Sequence, residues 1–337
     1  MIEPGSDSAG SFAGSVVVTG AGGFIGSHLV EELARRGAEV RAFVRYNSRN
    51  DYGWLEAIDP QVADSVEVFR GDLVNPEAVA RAADGRDVIF HLGALIPIPY
   101  SYVHPREFVS VNTVGTLNVL EAARRHGTKR LVHTSTSEVY GTALRVPIDE
   151  EHPLQAQSPY AATKIGADQL ALSYFRSFGL PAVVARPFNT YGPRQSARAV
   201  IPTIITQALS RDQIEIGSLS PTRDFVFVED IVAGMIACAE SPGIEGEVIN
   251  LGTGVEVTIA EVLERVLAAV GRDLRFEVAA ERQRPPSSEV EQLLADARAA
   301  ERLLGWKASV SLEDGLARTI DWMRGSLETY KPSHYNV

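Results

Sequence analysis

The stretch VVVTGAGGFIGSHL constrains the fold of this chain more than any other. A β-branched run, Val16–Val18, leads into Gly20, Gly23 and Gly26, and helical spacing begins at once in SHLVEELARRG, which closes on Gly37. Glycines at these points permit a tight turn, close approach of a pyrophosphate to the backbone, and close packing of helix on strand. The helix N-terminus behind them offers unpaired N–H groups and a partial positive charge to an anion. A plain glycine-rich turn would need neither the strand before nor the helix after, so the sequence places a dinucleotide here.

Compact apolar runs then recur: AEVRAFV, SVEVFRGD, DVIFHLGA, KRLVHTS and PAVVARP, with helical stretches at Glu107–His126 and Ser158–Phe178. Strands alternating with helices imply βαβ crossovers and a parallel sheet covered on both faces. The fold class expected is therefore α/β, a doubly wound, Rossmann-like sheet. After Arg186 the rhythm changes. RPFNTYGPRQSARAV is rich in turn formers and arginine, RDFVFVED and GEVINLGT read as further strands, and Ile231–Ala239 as a helix between them. TIAEVLERVLAAVG opens on a capping box, Thr258 with Glu261, and closes on Gly271. The organisation expected is a loose tail over 1–14 and a dinucleotide-binding domain from 15–190 with about 231–254. A smaller, discontinuous lobe takes about 191–230 with 255–330.

Composition narrows the partners. A net charge of −11 argues against general affinity for nucleic acid or anionic lipid, and no apolar run is long enough to span a bilayer. The first residues, small and polar, do not read as a signal peptide. One cysteine, Cys238, allows no internal disulfide and suits a reducing cytoplasm. Seven scattered histidines offer no set at ligand spacing, so no protein metal site is expected.

Two segments carry chemistry. SPYAATKIGADQL sets Tyr160 and Lys164 four apart, on one helix face. A phenol is too weak a base at neutral pH unless its anion is stabilised, and a lysine one turn away, with a cationic nicotinamide nearby, is expected to favour the phenolate. HTSTSEVYG clusters hydroxyls at the end of a strand and then places Glu138, an acid where a strand tip has little reason to carry one. The second strand ends on Arg45, where NAD binders usually have an acid for the ribose hydroxyls; an arginine there suits a 2′-phosphate. This tilts the expected cofactor toward NADP, with NAD open.

The spacing of the glycines, Thr136 ahead of Tyr160 and Lys164, and the runs RPFNTYGPRQ, RDFVFVEDI, EVINLGTG and LLADARAAERLLGW resemble the extended short-chain dehydrogenase/reductase family in its nucleotide-sugar branch. The resemblance runs from Val16 to about Trp306. It implies that Thr136, Tyr160 and Lys164 form the catalytic triad. Phe24, Ile25, Asp72, Leu73, Leu92, Gly93, Ala94, Asn112, Thr134 and Pro187 would border the cofactor with the glycines and Arg45. Asn189, Arg223, Arg284 and, less directly, Arg194 would meet the substrate diphosphate, with Pro99 and Tyr100 in the segment closing over the sugar. Members of this branch begin by oxidising C4 of the sugar, which acidifies the C5 proton. Epimerases leave that proton alone; a 4,6-dehydratase needs a base to take it, and Glu138 is placed for that role.

One departure stands out. Hexose 4,6-dehydratases of the family read Thr-Asp-Glu, the aspartic acid protonating the departing hydroxyl, whereas this chain reads Thr136-Ser137-Glu138. Serine is a poor proton donor, so a water, a relay or Glu138 itself must serve. Thr-Ser-Glu also occurs in uronate decarboxylases. The segment GALIPIPYSYVHP, apolar through Ile96 and Ile98, holds no cation before His104 to recognise a carboxylate. The sequence is thus most similar to 4,6-dehydratases acting on nucleotide-linked N-acetylhexosamine, as in legionaminic-acid-type pathways. Decarboxylation, C4-epimerisation and a non-catalytic NAD(P)-sensing role remain the alternatives; intact Thr136, Tyr160 and Lys164 speak against the last. The family likeness also implies a cytoplasmic homodimer joined through the helices at 107–126 and 158–178.

Overall fold

The computed structural model describes residues 11–279, 282 and 285–331. Strand β1 (Ser15–Thr19) passes through the glycine turn into α1 (Phe24–Arg35). Then follow β2 (Glu39–Val44), α2 (Pro60–Ala63), β3 (Glu67–Arg70), α3 (Pro76–Ala83) and β4 (Val88–His91). A helical run comes next: α4 (Ile98–Val103), α5 (Pro105–Phe108), a π turn at Val109–Val114, and α6 (Gly115–His126). β5 (Arg130–Thr134), α7 (Pro159–Phe178) and β6 (Ala182–Pro187) end this half.

Beyond β6 lie β7 (Asn189–Tyr191), α8 (Val200–Ser210), β8 (Gln213–Ile216), β9 (Thr222–Arg223) and β10 (Phe225–Phe227). α9 (Val228–Glu240) and β11 (Val248–Leu251) lead to β12 (Val257–Thr258), α10 (Ile259–Val270) and β13 (Arg275–Val278). α11 (Arg298–Leu304) and α12 (Leu312–Gly325) follow.

Seven parallel strands pair in the order β11-β6-β5-β4-β1-β2-β3. The break between β1 and β4 is the topological switch point, where a crevice opens at the carboxyl ends of the strands. Alternation along β1 shows why its residues are all apolar. Val16 and Val18 enter one core with Leu29, Leu33 and Met235, while Val17 enters the other with Val79, Leu120 and Leu172. A sheet covered by helices on both faces leaves no polar side. A third core, with Ile204, Phe227, Leu263 and Ile320, binds α8, α10 and α12 into the smaller lobe. β11 returns to the main sheet beside β6.

Local chemistry fixes the ends that matter. Ser158 caps α7 by accepting from Ala161 N at 3.1 Å, Pro159 sits in its first turn, and Gly179 ends it in the left-handed conformation. This sets the register of Tyr160, one residue further in. The capping box at Thr258 and Glu261 forms as read, with Gly271 closing α10. Two boundaries differ. The helix expected over 107–126 is split by the π turn, whose Asn112 reaches across to Leu95, and α9 starts at Val228 rather than at Ile231. Among the described residues no helix is long and apolar enough to cross a membrane.

Candidate active site

A cleft of about 990 Å³ runs over the carboxyl ends of the strands and under the smaller lobe. Gly20, Gly23, Phe24, Ile25 and Gly26 line its floor, Arg45, Asp72 and Leu73 one end, and Leu92, Gly93, Ala94, Thr134 and Pro187 its middle. The glycines are there because nothing else fits. Gly20 takes φ +70°, and a Cβ on it would stand 2.8 Å from Gly93 N; a Cβ on Gly26 would stand 2.2 Å from Gly20 O. α1 begins at this turn with Gly23 as N-cap and no side chain occupying the orphan N–H groups. These features fit a dinucleotide pyrophosphate.

Thr136, Ser137, Glu138, Tyr160 and Lys164 meet in the same cleft. Thr136 caps the short 3-10 turn Ser137–Tyr140 by accepting from Glu138 N at 3.2 Å, which orients Glu138, half-buried, in the cleft. The Tyr160 phenol is buried, with Thr136 beside it. Burial pushes its pKa up, Glu138 and Asp168 add to the rise, and Thr136 opposes it. Lys164 donates to Thr134 O at 2.6 Å, and burial lowers its pKa to about 8 against an opposing pull from Asp168. The ammonium is turned to the end of β5, and the groups of this chain that bear on Tyr160, burial first, raise its pKa on balance.

Beneath the pair lies a network that sequence reading missed. Asp168, one turn beyond Lys164 and fully buried, accepts from Ser135 Oγ at 2.7 Å and from Arg186 Nη2 and Nε at 2.9 and 3.1 Å, all on Oδ2. His133 Nε2 stands 3.2 Å from Oδ1, at ion-pair distance but off the hydrogen-bond line. Arg186 also donates to Tyr140 OH at 2.9 Å, and that hydroxyl donates to Asn250 Oδ1 at 2.7 Å. Burial holds His133 and His91 below their ordinary pKa.

The substrate-side residues divide. Pro99, Asn189 and Arg223 line the cleft, with Arg223 3.3 Å from Glu289. Arg198 and Arg282, both unremarked in the sequence, line it too. Arg284 lies outside the described residues. Three assignments are corrected. Arg194 faces away from the cleft: its guanidinium is buried on Glu31 of α1 at 2.7 Å and on Ala57 O at 3.0 Å, because a cation taken out of water needs a carboxylate. It fastens the loop carrying Gln195 and Arg198 to the cofactor helix. Tyr100 leaves the cleft to donate to Glu107 at 2.8 Å and pack on His104. Asn112 is buried behind the wall, accepting from Leu95 N at 2.7 Å and donating to Leu95 O at 2.9 Å, so it holds the lining without forming it.

Comparison with known proteins bears on this geometry. The family profile described as GDP-mannose 4,6 dehydratase matches residues 17–319. A UDP-glucose 4-epimerase of Mycolicibacterium smegmatis is 34% identical over 91% of this chain and 98% of its own length. A dTDP-glucose 4,6-dehydratase of Streptomyces antibioticus is 33% identical over 94% of this chain and 95% of its own. Among solved structures, DesIV, a dTDP-glucose 4,6-dehydratase from Streptomyces venezuelae solved with NAD bound, superposes with a TM-score of 0.83 at 30% identity. That match covers 95% of this chain and 100% of DesIV. With its glycine turn, Tyr160–Lys164 pair and nucleotide-sized cleft, the chain belongs to the extended short-chain dehydrogenase/reductase family, as an NAD-dependent epimerase/dehydratase-type enzyme of nucleotide sugars.

Proposed function

We propose that the chain is a nucleotide-sugar 4,6-dehydratase acting on an NDP-N-acetylhexosamine to give a 4-keto-6-deoxy sugar. The observation that carries this is Glu138, a carboxylate in the cleft beside Thr136 and Tyr160. Tyr160 takes the proton of the C4 hydroxyl, with Thr136 aligning both oxygens. When bound, NAD(P) supplies the hydride acceptor for C4, the hydride returned to C6, and a ring cation that favours the phenolate. Glu138 then removes the C5 proton made acidic by the new ketone, and the C6 hydroxyl leaves as water.

The sugar wall supports dehydration over decarboxylation. Leu95–Pro99, Thr136–Glu138, Tyr160 and Phe188 bring no cation to it, while Arg198, Arg223 and Arg282 come from smaller-lobe segments. A uronate carboxylate would need such a partner; an acetamido or hydroxymethyl group does not. The test is product formation from a panel of UDP-, GDP-, dTDP- and CDP-sugars, with Glu138→Gln incubated in deuterated water. If deuterium still enters C5 at the native rate, Glu138 is not the base and the reading fails.

Arg45 and Arg49, exposed at the end of β2 and lining the cleft, favour NADP through its 2′-phosphate. NAD, which DesIV binds, is the alternative, and a clear preference of the apo-protein for NAD would refute this part. We also infer a homodimer through the outer faces around α6 and α7. Leu120 and Leu172 are buried within one chain, but Val109 and Val114 are exposed on the π turn that begins this run. Sedimentation equilibrium decides it.

A further inference from the structure

We propose that Asp168 is a positioning residue of the reaction, a buried carboxylate whose second oxygen keeps the Lys164 ammonium charged beneath Tyr160. The inference rests on Tyr160 acting as the base proposed above and adds Lys164 as the cation that supports it; it does not depend on which group leaves the sugar. Tyr160, Lys164 and Asp168 follow one another at four-residue spacing on the inner face of α7, and all three are buried. The two carboxylate oxygens are used differently. Oδ2 receives Arg186 and Ser135, whereas Oδ1 has no hydrogen-bond donor among the described residues and faces His133.

Arg186 is cationic at any pH and matches the charge of Asp168 once. A carboxylate with one oxygen left open in a dry interior still exerts a field on the nearest cation on its own helix. The groups around Lys164 are few. On α7 they are Tyr160 and Asp168; on β5, Thr134 O and His133; on β6, Arg186; and on β4, His91, whose ring lies 5.5 Å from that of His133, while Glu138 acts on Tyr160 from the cleft. Both histidines are kept neutral by burial. Asp168 is thus the anion that acts on the lysine from its own helix. Without Asp168 a fully buried amine would shed its proton before the phenol could make use of it.

Four lysines in the whole chain make the test direct: Lys129, Lys164, Lys307 and Lys331. Labelled with 13C at Cε, the protein gives few resonances, and Lys164 is assigned by its loss in Lys164→Met. A lone Asp168→Asn exchange would strand the Arg186 guanidinium, so the variant compared is Asp168→Asn/Arg186→Met. A buried ion pair replaced as a pair usually leaves the fold intact. Arg186→Met alone is its companion; it keeps the carboxylate, which still accepts from Ser135 and has His133 and Lys164 as the cations able to answer it.

The Lys164 resonance should titrate about one pH unit or more lower in the double variant than in the companion. The activity lost at alkaline pH should move acidward by the same amount, with kcat at neutral pH down about tenfold and KM little changed. Equal Lys164 titration in the two variants overturns the proposal, whatever their stabilities. The native protein gives an independent arm. If its own Lys164 titrates below neutrality with Asp168 in place, Asp168 does not hold the charge and the proposal fails.

Discussion

Gly26→Ala puts a number on the claim that the cofactor turn admits only glycine. An alanine Cβ at this position would stand 2.2 Å from Gly20 O, 2.9 Å from Gly20 C and 3.0 Å from Ala21 Cα. Ordinary contact needs about 1 Å more, and each obstructing atom is backbone, so no side chain can swing aside. The Gly20 turn cannot retreat, because it already lies against Gly93. Overpacking of this kind costs about 1–3 kcal/mol, and the rigid neighbours place it near the upper end. Alanine's better helix propensity recovers roughly 1 kcal/mol, leaving a net loss of about 2 kcal/mol. In a chain of this size that lowers Tm by about 3 °C. The larger effect falls on function. Shifting the first N–H groups of α1 by about 1 Å removes a charge-assisted hydrogen bond to pyrophosphate, and affinity for the cofactor drops about 10–100-fold. Calorimetric titration with NAD and NADP, alongside a thermal melt, reads both quantities. Gly325→Ala is the control, since nothing lies within 4 Å of its added methyl. If Gly26→Ala binds cofactor within about threefold of the native protein and melts with it, the steric reasoning is wrong.

His28 predicts an acid-side instability. Burial, helped by Arg194, lowers its pKa to about 4. An unfolded histidine binds a proton near pH 6.5 and the folded one does not, so stability is whole above that value and falls as pH drops from 6.5 toward 4. The loss at pH 5 is about 2 kcal/mol. Unfolding free energies from urea titration at pH 7 and pH 5 should differ by that much less in His28→Gln than in the native protein; an equal difference refutes the assignment. Asp224 predicts a structural loss beside the cleft. Its carboxylate accepts from Thr253 N at 2.9 Å, Gly254 N at 2.9 Å and Ala295 N at 3.2 Å. Asp224→Ala strands three backbone donors, and removal of a buried charge offsets part of the cost. About 3 kcal/mol should be lost in urea unfolding, and a loss under about 1 kcal/mol would show that water replaces the carboxylate.

What could be read from the sequence was whatever depends on local spacing. The glycine turn, the compact apolar strands and the Tyr160–Lys164 step are set by neighbours within a few residues, and so is the Thr258–Glu261 cap. What could not be read depends on long-range pairing. Arg194 and Glu31 are 163 positions apart, and only the packing of the 192–199 loop on α1 shows that this arginine is spent in an ion pair. Asp168 was one helical turn from Lys164 and visible in principle as a third acid-base residue at i+8. Its partners His133, Ser135 and Arg186, however, reach it across two strands. Tyr100 went astray for a different reason. The apolar run around it gives no hint that α4 turns its phenol outward to Glu107.

The serine at position 137 raises a question of proton count that the site geometry sharpens. Dehydration across C5 and C6 moves one proton off C5 and needs one for the departing hydroxyl. Ser137 is buried, and as a hydroxyl it can relay a proton but not supply one at neutral pH. On the proposed reaction Glu138, next to it in the cleft, acquires the C5 proton and is then an acid at the moment one is needed. One carboxylate could therefore perform both halves of the elimination, where the family's aspartic acid–glutamic acid pair divides them. If so, Glu138→Gln loses proton abstraction and water loss together but keeps Tyr160 and Lys164. In a single turnover it should oxidise C4 and stop there, accumulating reduced nicotinamide absorbance with no 6-deoxy product. A variant that still releases 6-deoxy sugar, even slowly and without exchange at C5, would place the acid elsewhere. A variant that never reduces the cofactor would mean that Glu138 is needed already for oxidation at C4.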